Sequence, residues 1–233
     1  MKAVLSAAAK TGEVKRVVLT SSFASVVDIE KKVDSDFVYT GEHWNPLTYE
    51  EAISPDTNAI VAYRGSKKFA GLEAWNFVKD EKTSFDLVTL CPPMTFGPIV
   101  HPVNDASQLN ESNAKLWEVA TGKDLPEQRV PVWIDVRDLA QAHIEALVRP
   151  EVGGNRYAIA SPEKWSYELA AMTLRQKYPD LQDKVVRIGD VKTPKSYSLE
   201  SDRVSRELGI SFRSFQSSVT DLFDGLHDRG MAP

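Results

Sequence analysis

The sequence is nearly without cysteine: Cys91 is the single one in 233 residues. That excludes an internal disulfide and any metal site built on several thiolates, and it fits a reducing compartment. Positive charge is not in excess either. The 28 Lys and Arg against 33 Asp and Glu leave a net charge of −5, so no basic footprint invites nucleic acid or an anionic membrane. No stretch approaches the roughly 18 uninterrupted apolar residues of a membrane-spanning helix. The opening MKAVLSAAAKTGEVKR is too short in apolar residues for a signal peptide's core. The four histidines, His43, His101, His143 and His227, are scattered without paired ligand spacing, so no metal site is expected. Internal repeats and low-complexity segments are absent. What is present is ordinary: 42% hydrophobic and 26% charged residues argue against disorder. The expectation is a soluble, cytoplasmic protein.

Apolar spacing divides the chain. Ala3 to Ala9 reads as a helix, broken at Thr11-Gly12. Lys15-Arg16-Val17-Val18-Leu19-Thr20 is a β-branched apolar run of strand length. A polar, irregular stretch from Asp28 to Asn58 follows and holds Trp44-Asn45-Pro46. From Ile60 to Lys79, Phe69, Leu72, Ala74, Trp75 and Val78 recur at helical spacing. Phe85 to Cys91 is a second buried-type strand. Pro92-Pro93 stops it, because neither residue has an N–H for the ladder. Strand, long helix and strand in that order predict parallel pairing, which needs a crossover of this kind.

Beyond Pro98 the pattern is mostly helical. Asp135 or Asp138 is placed to cap a helix that runs to Val148 and ends at Arg149-Pro150. Gly153-Gly154 turns the chain into a short strand over Asn155–Ala160. Ser161-Pro162-Glu163 reads as the start of a helix through Tyr167 to Tyr178. Ser201–Leu208 and Phe215–His227 close the chain as amphipathic helices. The fold class is α/β with a helix-rich C-terminal part.

The residues best suited to chemistry are Tyr63-Arg64-Gly65-Ser66-Lys67. Four positions apart on a helix, Tyr63 and Lys67 lie on one face. A lysine cation beside a phenol favours the phenolate, which suits proton transfer to a carbonyl oxygen near neutral pH. Upstream, Thr20-Ser21-Ser22 ends an apolar strand, where a parallel sheet places its ligands. Other groups read as structural. Asp135 and Asp138 brace their helix, Trp75 and Trp117 serve the core, and Cys91 is a buried, inert thiol.

With those motifs in order, the chain resembles the extended short-chain dehydrogenase/reductase family. It is most similar to the branch of dihydroflavonol reductases, cinnamoyl-CoA reductases and fungal methylglyoxal or aldehyde reductases. VKRVVLTSSFASV, AYRGSKKFAGLEAWNFV, PPMTFGP and VWIDVRDLAQAHIEAL carry the resemblance, which covers nearly the whole chain. It implies the C-terminal part of a Rossmann-type parallel sheet with a helix-rich substrate-binding region. Residues 1–98 would be a partial dinucleotide-binding domain and 99–233 the substrate region, with about 131–160 returning to the Rossmann part. The implied activity is NADP-dependent reduction of an aldehyde or ketone, with NAD as the alternative cofactor. Ser22 would bind the substrate carbonyl, Tyr63 would donate the proton, and Lys67 would hold the nicotinamide ribose and depress the tyrosine pKa. Pro92, Pro93, Met94 and Thr95 would line the nicotinamide, and Ser112 matches a further cofactor contact.

One departure stands against this pattern. The 12 glycines contain neither G-x-G-x-x-G nor G-x-x-G-x-x-G, the turn whose backbone meets a dinucleotide's pyrophosphate. In the family the Thr-Ser-Ser strand comes only after a segment holding that turn; here it begins at Val14. Two alternatives therefore stand beside the reductase: a truncated, catalytically silent remnant or partner-binding fragment, and an epimerase or dehydratase sharing the Ser-Tyr-Lys set. The expectation for the isolated chain is a Val14–Thr20 strand edge without a partner, prone to self-association.

Overall fold

The first helix, α1 (Lys2–Thr11), closes at Gly12 in the left-handed conformation, a common helix terminus. In the computed structural model, which describes residues 1–31, 33–122, 124–189 and 196–231, the chain then enters β1 (Arg16–Thr20). It crosses over through β2 (Val38–Tyr39), α2 (Tyr49–Ile53) and the long α3 (Ala59–Asp80) to reach β3 (Asp86–Leu90). The strands β1 and β3 run parallel in register, from Arg16 opposite Asp86 to Thr20 opposite Leu90. On the far side of β3 lies β6 (Arg156–Tyr157), also parallel, giving the order β1-β3-β6.

The register is locked at its lower end. The Arg16 guanidinium grips the Asp86 carboxylate at 2.5 and 2.7 Å. It also donates to the carbonyls of Ala146, Arg149 and Pro150 at the end of α5 (Val136–Val148). A cation there meets the negative end of the helix dipole.

Both faces of the sheet are covered, and β3 shows why Leu87, Val88 and Leu90 are apolar. Leu87 points to a cluster with Leu5, Ala74, Phe77 and Phe85 under α1 and α3. Val88 and Leu90 point the other way, to Leu139, Ala142 and Ala146 of α5 and to Val204 and Leu208 of α7 (Ser201–Leu208). That is the period of two expected for a strand buried on both sides.

A second body of core follows. The segment after Pro93 forms β4 (Met94–Phe96), which pairs in parallel with β5 (Trp133–Asp135). Around Phe96 and Trp133 gather α4 (Glu111–Thr121), α6 (Tyr167–Lys177) and α8 (Phe215–His227). Its aromatic centre is set edge to face, with Phe96 4.9 Å from Trp165 and Trp133 5.1 Å from Phe215. Trp117 stacks parallel on Phe223. A last short strand, β7 (Ser198–Leu199), pairs with β2.

Several local expectations are corrected. The polar stretch 28–58 is not wholly irregular: it contains β2 and α2, the latter opened by a capping box of Thr48 and Glu51. A two-residue strand and a five-residue helix are too short for periodicity to register. The PPMTFGP segment is a strand from Met94 rather than a turn. In Asn155–Ala160 only Arg156 and Tyr157 join the ladder. The sixth helix starts at Tyr167, capped by Ser166. Ser161 instead accepts from the Glu163 amide in a tight turn.

The two bodies are joined by a buried carboxylate. Asp135 accepts from the Arg137 amide and guanidinium at 2.7 to 2.9 Å and from the Ser218 hydroxyl at 2.5 Å. Burial alone would push its pKa up, but the Arg137 and Ser218 hydrogen bonds outweigh it and the net shift is downward. A depressed folded-state pKa contributes stability above the unfolded value and loses it as pH falls through the folded one. Asp135→Asn is therefore expected to lower unfolding free energy by about 2–3 kcal/mol at neutral pH. The difference from the parent should shrink below about pH 4, where the unfolded carboxyl titrates, and urea titrations at the two pH values measure both.

Among the described residues β1 has a neighbour only on its β3 side, and Arg16 to Leu19 are half-buried. Nearby on α5, Ile144, Leu147 and Val148 are more than half exposed. An unpaired edge beside apolar side chains is a pairing template. Sedimentation velocity on the purified chain is expected to show concentration-dependent association. A monodisperse monomer across the concentration range would be the contrary result.

Candidate functional site

The carboxyl ends of β1 and β3 finish at one level, and their ladder continues into irregular chain. The Ser21 amide donates to Leu90 O at 2.7 Å and the Phe23 amide to Pro92 O at 3.0 Å. Between these two bonds Ser22 is extended and caps a short 3-10 turn, Phe23–Ser25. Its Oγ accepts the Ala24 amide at 3.1 Å. That bond occupies a lone pair and leaves the hydroxyl proton free to be donated. Ser22 is 6% exposed.

Helix α3 lies against this turn. It starts at Asn58, whose side chain accepts from the amides of Ile60 and Val61 at 3.0 Å each. Tyr63 and Lys67 follow one turn apart, with Lys67 Nζ 5.6 Å from the Tyr63 ring centroid. Tyr63 is 50% exposed, and among the described residues neither its Oη nor Lys67 Nζ has a hydrogen-bond partner. Two polar groups on one helix face are thus held side by side with their chemistry unspent.

Three buried residues that the sequence reading missed hold the Ser22 turn, two of them to this helix and the third to the loop at 41–44. Asn45, 1% exposed, donates from Nδ2 to Ala24 O at 2.6 Å and to Arg64 O at 3.2 Å. Arg64, next to Tyr63, reaches across to Val27 O; burial lowers its pKa from the ordinary arginine value. Arg156 donates to Gly41 O and His43 O at 2.6 Å each and to Ser25 Oγ at 2.8 Å. Its guanidinium lies 3.6 Å from the Trp44 ring centre. The one available signal was compositional. Trp44-Asn45-Pro46 sits in a polar stretch, and Arg64 lies inside the Tyr-Lys motif.

The segment beyond β3 lies beside the Ser22 turn, through the bond from the Phe23 amide to Pro92 O. Pro92 and Pro93 are buried, and Met94 and Thr95 are half-buried at the start of β4. Ser112 on α4 accepts the Thr95 amide at 3.1 Å and lies 3.9 Å from the Met94 sulfur. Of the expected cofactor-lining set, Met94, Thr95 and Ser112 are thereby in direct contact. The next residue, Asn113, clamps both backbone groups of Gly97 at 3.3 and 3.0 Å. Gly97 has φ +124°, and an added Cβ would stand 3.1 Å from Val136 and 3.2 Å from the Asp135 carboxylate. A side chain there would strain the backbone and push its neighbours by a few tenths of an ångström.

Cys91 is wholly buried at the end of β3, and burial pushes its thiol pKa up. A surface cavity of about 380 Å³ opens beside Trp44, Trp75, Asn155, Arg156 and Arg203. It is lined by none of Ser22, Tyr63 and Lys67, so it lies apart from their chemistry.

No family model matches the chain. An uncharacterized oxidoreductase of Schizosaccharomyces pombe is 33% identical over 226 residues, covering 97% of this chain and 67% of the relative. A ketoreductase of Aspergillus niger is 35% identical over 215 residues, covering 89% of this chain and 61% of that protein. The yeast methylglyoxal/isovaleraldehyde reductase, solved with NADPH, superimposes with a TM-score of 0.83 at 29% identity, over 99% of this chain and 70% of that one. The chain thus spans about two thirds of the length of the relatives it matches.

Proposed function

The chain belongs to the extended short-chain dehydrogenase/reductase family, and from that premise we propose that it carries the carbonyl-handling half of an NADPH-dependent aldehyde or ketone reductase. The observation that carries this reading is the Tyr63–Lys67 pair, set one turn apart without hydrogen-bond partners among the described residues, on a helix packed against the turn that Ser22 caps. An epimerase or dehydratase would use similar residues. The reductase is favoured by the named relatives, a ketoreductase and a methylglyoxal/isovaleraldehyde reductase. NADPH is favoured over NADH by the NADPH complex of the yeast relative. The single, buried cysteine supports a cytoplasmic setting.

The residues fit one end of the cofactor. Lys67 would hold the nicotinamide ribose, and Pro92, Pro93, Met94 and Thr95 would line the nicotinamide. Ser112 would fix that wall through the Thr95 amide. For the pyrophosphate this chain offers no glycine-rich turn.

When bound, NADPH supplies a hydride to the carbonyl carbon. Ser22 donates its hydroxyl proton in a hydrogen bond to the carbonyl oxygen, polarising it and fixing its position. Tyr63 transfers its phenolic proton to that oxygen as negative charge develops there. The Lys67 ammonium stabilises the phenolate left behind. The half-exposed phenol gives Tyr63 a route to recover its proton from solvent.

Two measurements test the proposal. With saturating NADPH and an aldehyde such as methylglyoxal, Tyr63→Phe should lower turnover about 10²- to 10⁴-fold, the usual range for loss of a general acid. Its far-ultraviolet circular dichroism should match the parent. Alcohol product is followed by chromatography, and near-normal turnover would overturn the assignment of Tyr63. Calorimetric titration of the 233-residue chain with NADPH should give a Kd well above about 1 μM, because the phosphate contacts of a glycine-rich turn are missing. Submicromolar binding would show another element doing that work.

A further inference from the structure

We infer that Asn45 is a positioning residue that sets Ser22 against Tyr63, an inference that rests on the reductase reading and deepens it. Ser22 and Tyr63 sit on different elements, the 3-10 turn after β1 and the helix α3. Neither hydrogen-bonds the other. Something else must fix their separation, and that separation must be right to within a fraction of an ångström for one carbonyl oxygen to meet both.

The Asn45 amide is built for that task. Its two Nδ2 protons are divided between the two elements, one to Ala24 O in the Ser22 turn and one to Arg64 O, the residue after Tyr63. Its Oδ1 accepts the Leu47 amide at 3.2 Å, which fixes which way the amide faces. Its own backbone N–H donates to Ser25 O at 3.0 Å. Every hydrogen of this residue's polar groups is therefore committed, in a site 1% exposed. A planar amide with two donors on one nitrogen ties two carbonyls at a fixed distance. Serine or alanine would span neither gap, and aspartate would present oxygens to carbonyl oxygens.

Arg64 adds a second tie from the same helix turn to Val27 O. Both ties end on backbone carbonyls of residues 24–27. The Ser22 turn is thus held to the Tyr63 helix, whereas Ser22 and Tyr63 keep their own polar hydrogens for substrate.

The test uses the full chain with saturating NADPH and methylglyoxal. Asn45→Asp matches asparagine in shape but removes both donors. Its kcat is expected to fall about 10- to 100-fold, the cost of a small misplacement of reacting groups. KM for the aldehyde should stay within about threefold, the split expected when transition-state geometry rather than binding is lost. Asn45→Gln keeps both donors on a longer stem and should recover part of kcat; it also serves if the aspartate variant fails to fold. A kcat equal to the parent in Asn45→Asp, or kcat and KM degraded together in both variants, would overturn the inference.

An activity-free readout separates this inference from the reading beneath it. With 3-fluorotyrosine incorporated at the seven tyrosines, the ¹⁹F resonance of Tyr63 is assigned by its loss in Tyr63→Phe. In Asn45→Asp that resonance should shift or broaden while those of Tyr157, Tyr167 and Tyr178 stay in place. A parent chain without reductase activity would defeat the functional reading alone. An unmoved Tyr63 resonance in both variants would defeat the role of Asn45 alone.

Discussion

The parallel pairing of β1 with β3 is the constraint from which the site follows. Arg16 and Asp86 close the lower end of the ladder as a two-pronged ion pair, and the register then carries Thr20 opposite Leu90 without a bulge. Two further backbone bonds extend it, so Ser22 and Pro92 leave the sheet side by side. A slip of one residue would turn Val17, Val18 and Leu19 to the wrong faces. It would also withdraw Ser22 from the level of the turn at Pro92. Packing on both faces and the position of the serine are thus set by the same hydrogen bonds.

Above that ladder the structure changes its means of support. The segment between β1 and α3 has little regular secondary structure, yet Ser22, Ala24 to Val27, Tyr39, Gly41 and Asn45 are buried, and buried carbonyls need donors. Side chains supply them: Asn45 for Ala24 and Arg64, Arg64 for Val27, Lys68 for Leu47, Arg156 for Gly41 and His43. The chain also approaches itself closely here. A Cβ on Gly41 would fall 1.7 Å from Arg156 O, a contact open to glycine alone. Glu200 completes the arrangement by accepting the amides of Gly41 and Ala158. Long polar side chains do for this loop what a neighbouring strand does in a sheet.

This division explains what could be read from the sequence. The strands at Arg16–Thr20 and Asp86–Leu90 and the helices at 59–80, 136–148, 201–208 and 215–227 rest on apolar periodicity and caps, which are local signals. That Tyr63 and Lys67 lie side by side was legible for the same reason, since four-residue spacing on a helix needs no tertiary knowledge. Asn45, Arg64 and Arg156 were not. Their partners lie at 24, 27, 25 and 41, and nothing in a polar loop's composition tells which carbonyl a side chain will meet. Ser112 was legible as a position, but its bond to the Thr95 amide depends on β4 being a strand. That in turn depends on β5, about forty residues later, being there to pair with it.

Arg156 shows what such support means for the tolerance of a sequence to substitution. One guanidinium serves three backbone carbonyls in two stretches of chain and lies over the Trp44 ring. Lysine has the charge but not the planar fork that reaches several carbonyls at once while stacking on an indole. Glutamine is too short and offers two donors where the loop draws on more. No single-residue step away from Arg156 is conservative. A change at Arg156 would be felt at Gly41, Trp44 and Ser25 together, so these four positions form one packing unit spread over more than a hundred residues of chain.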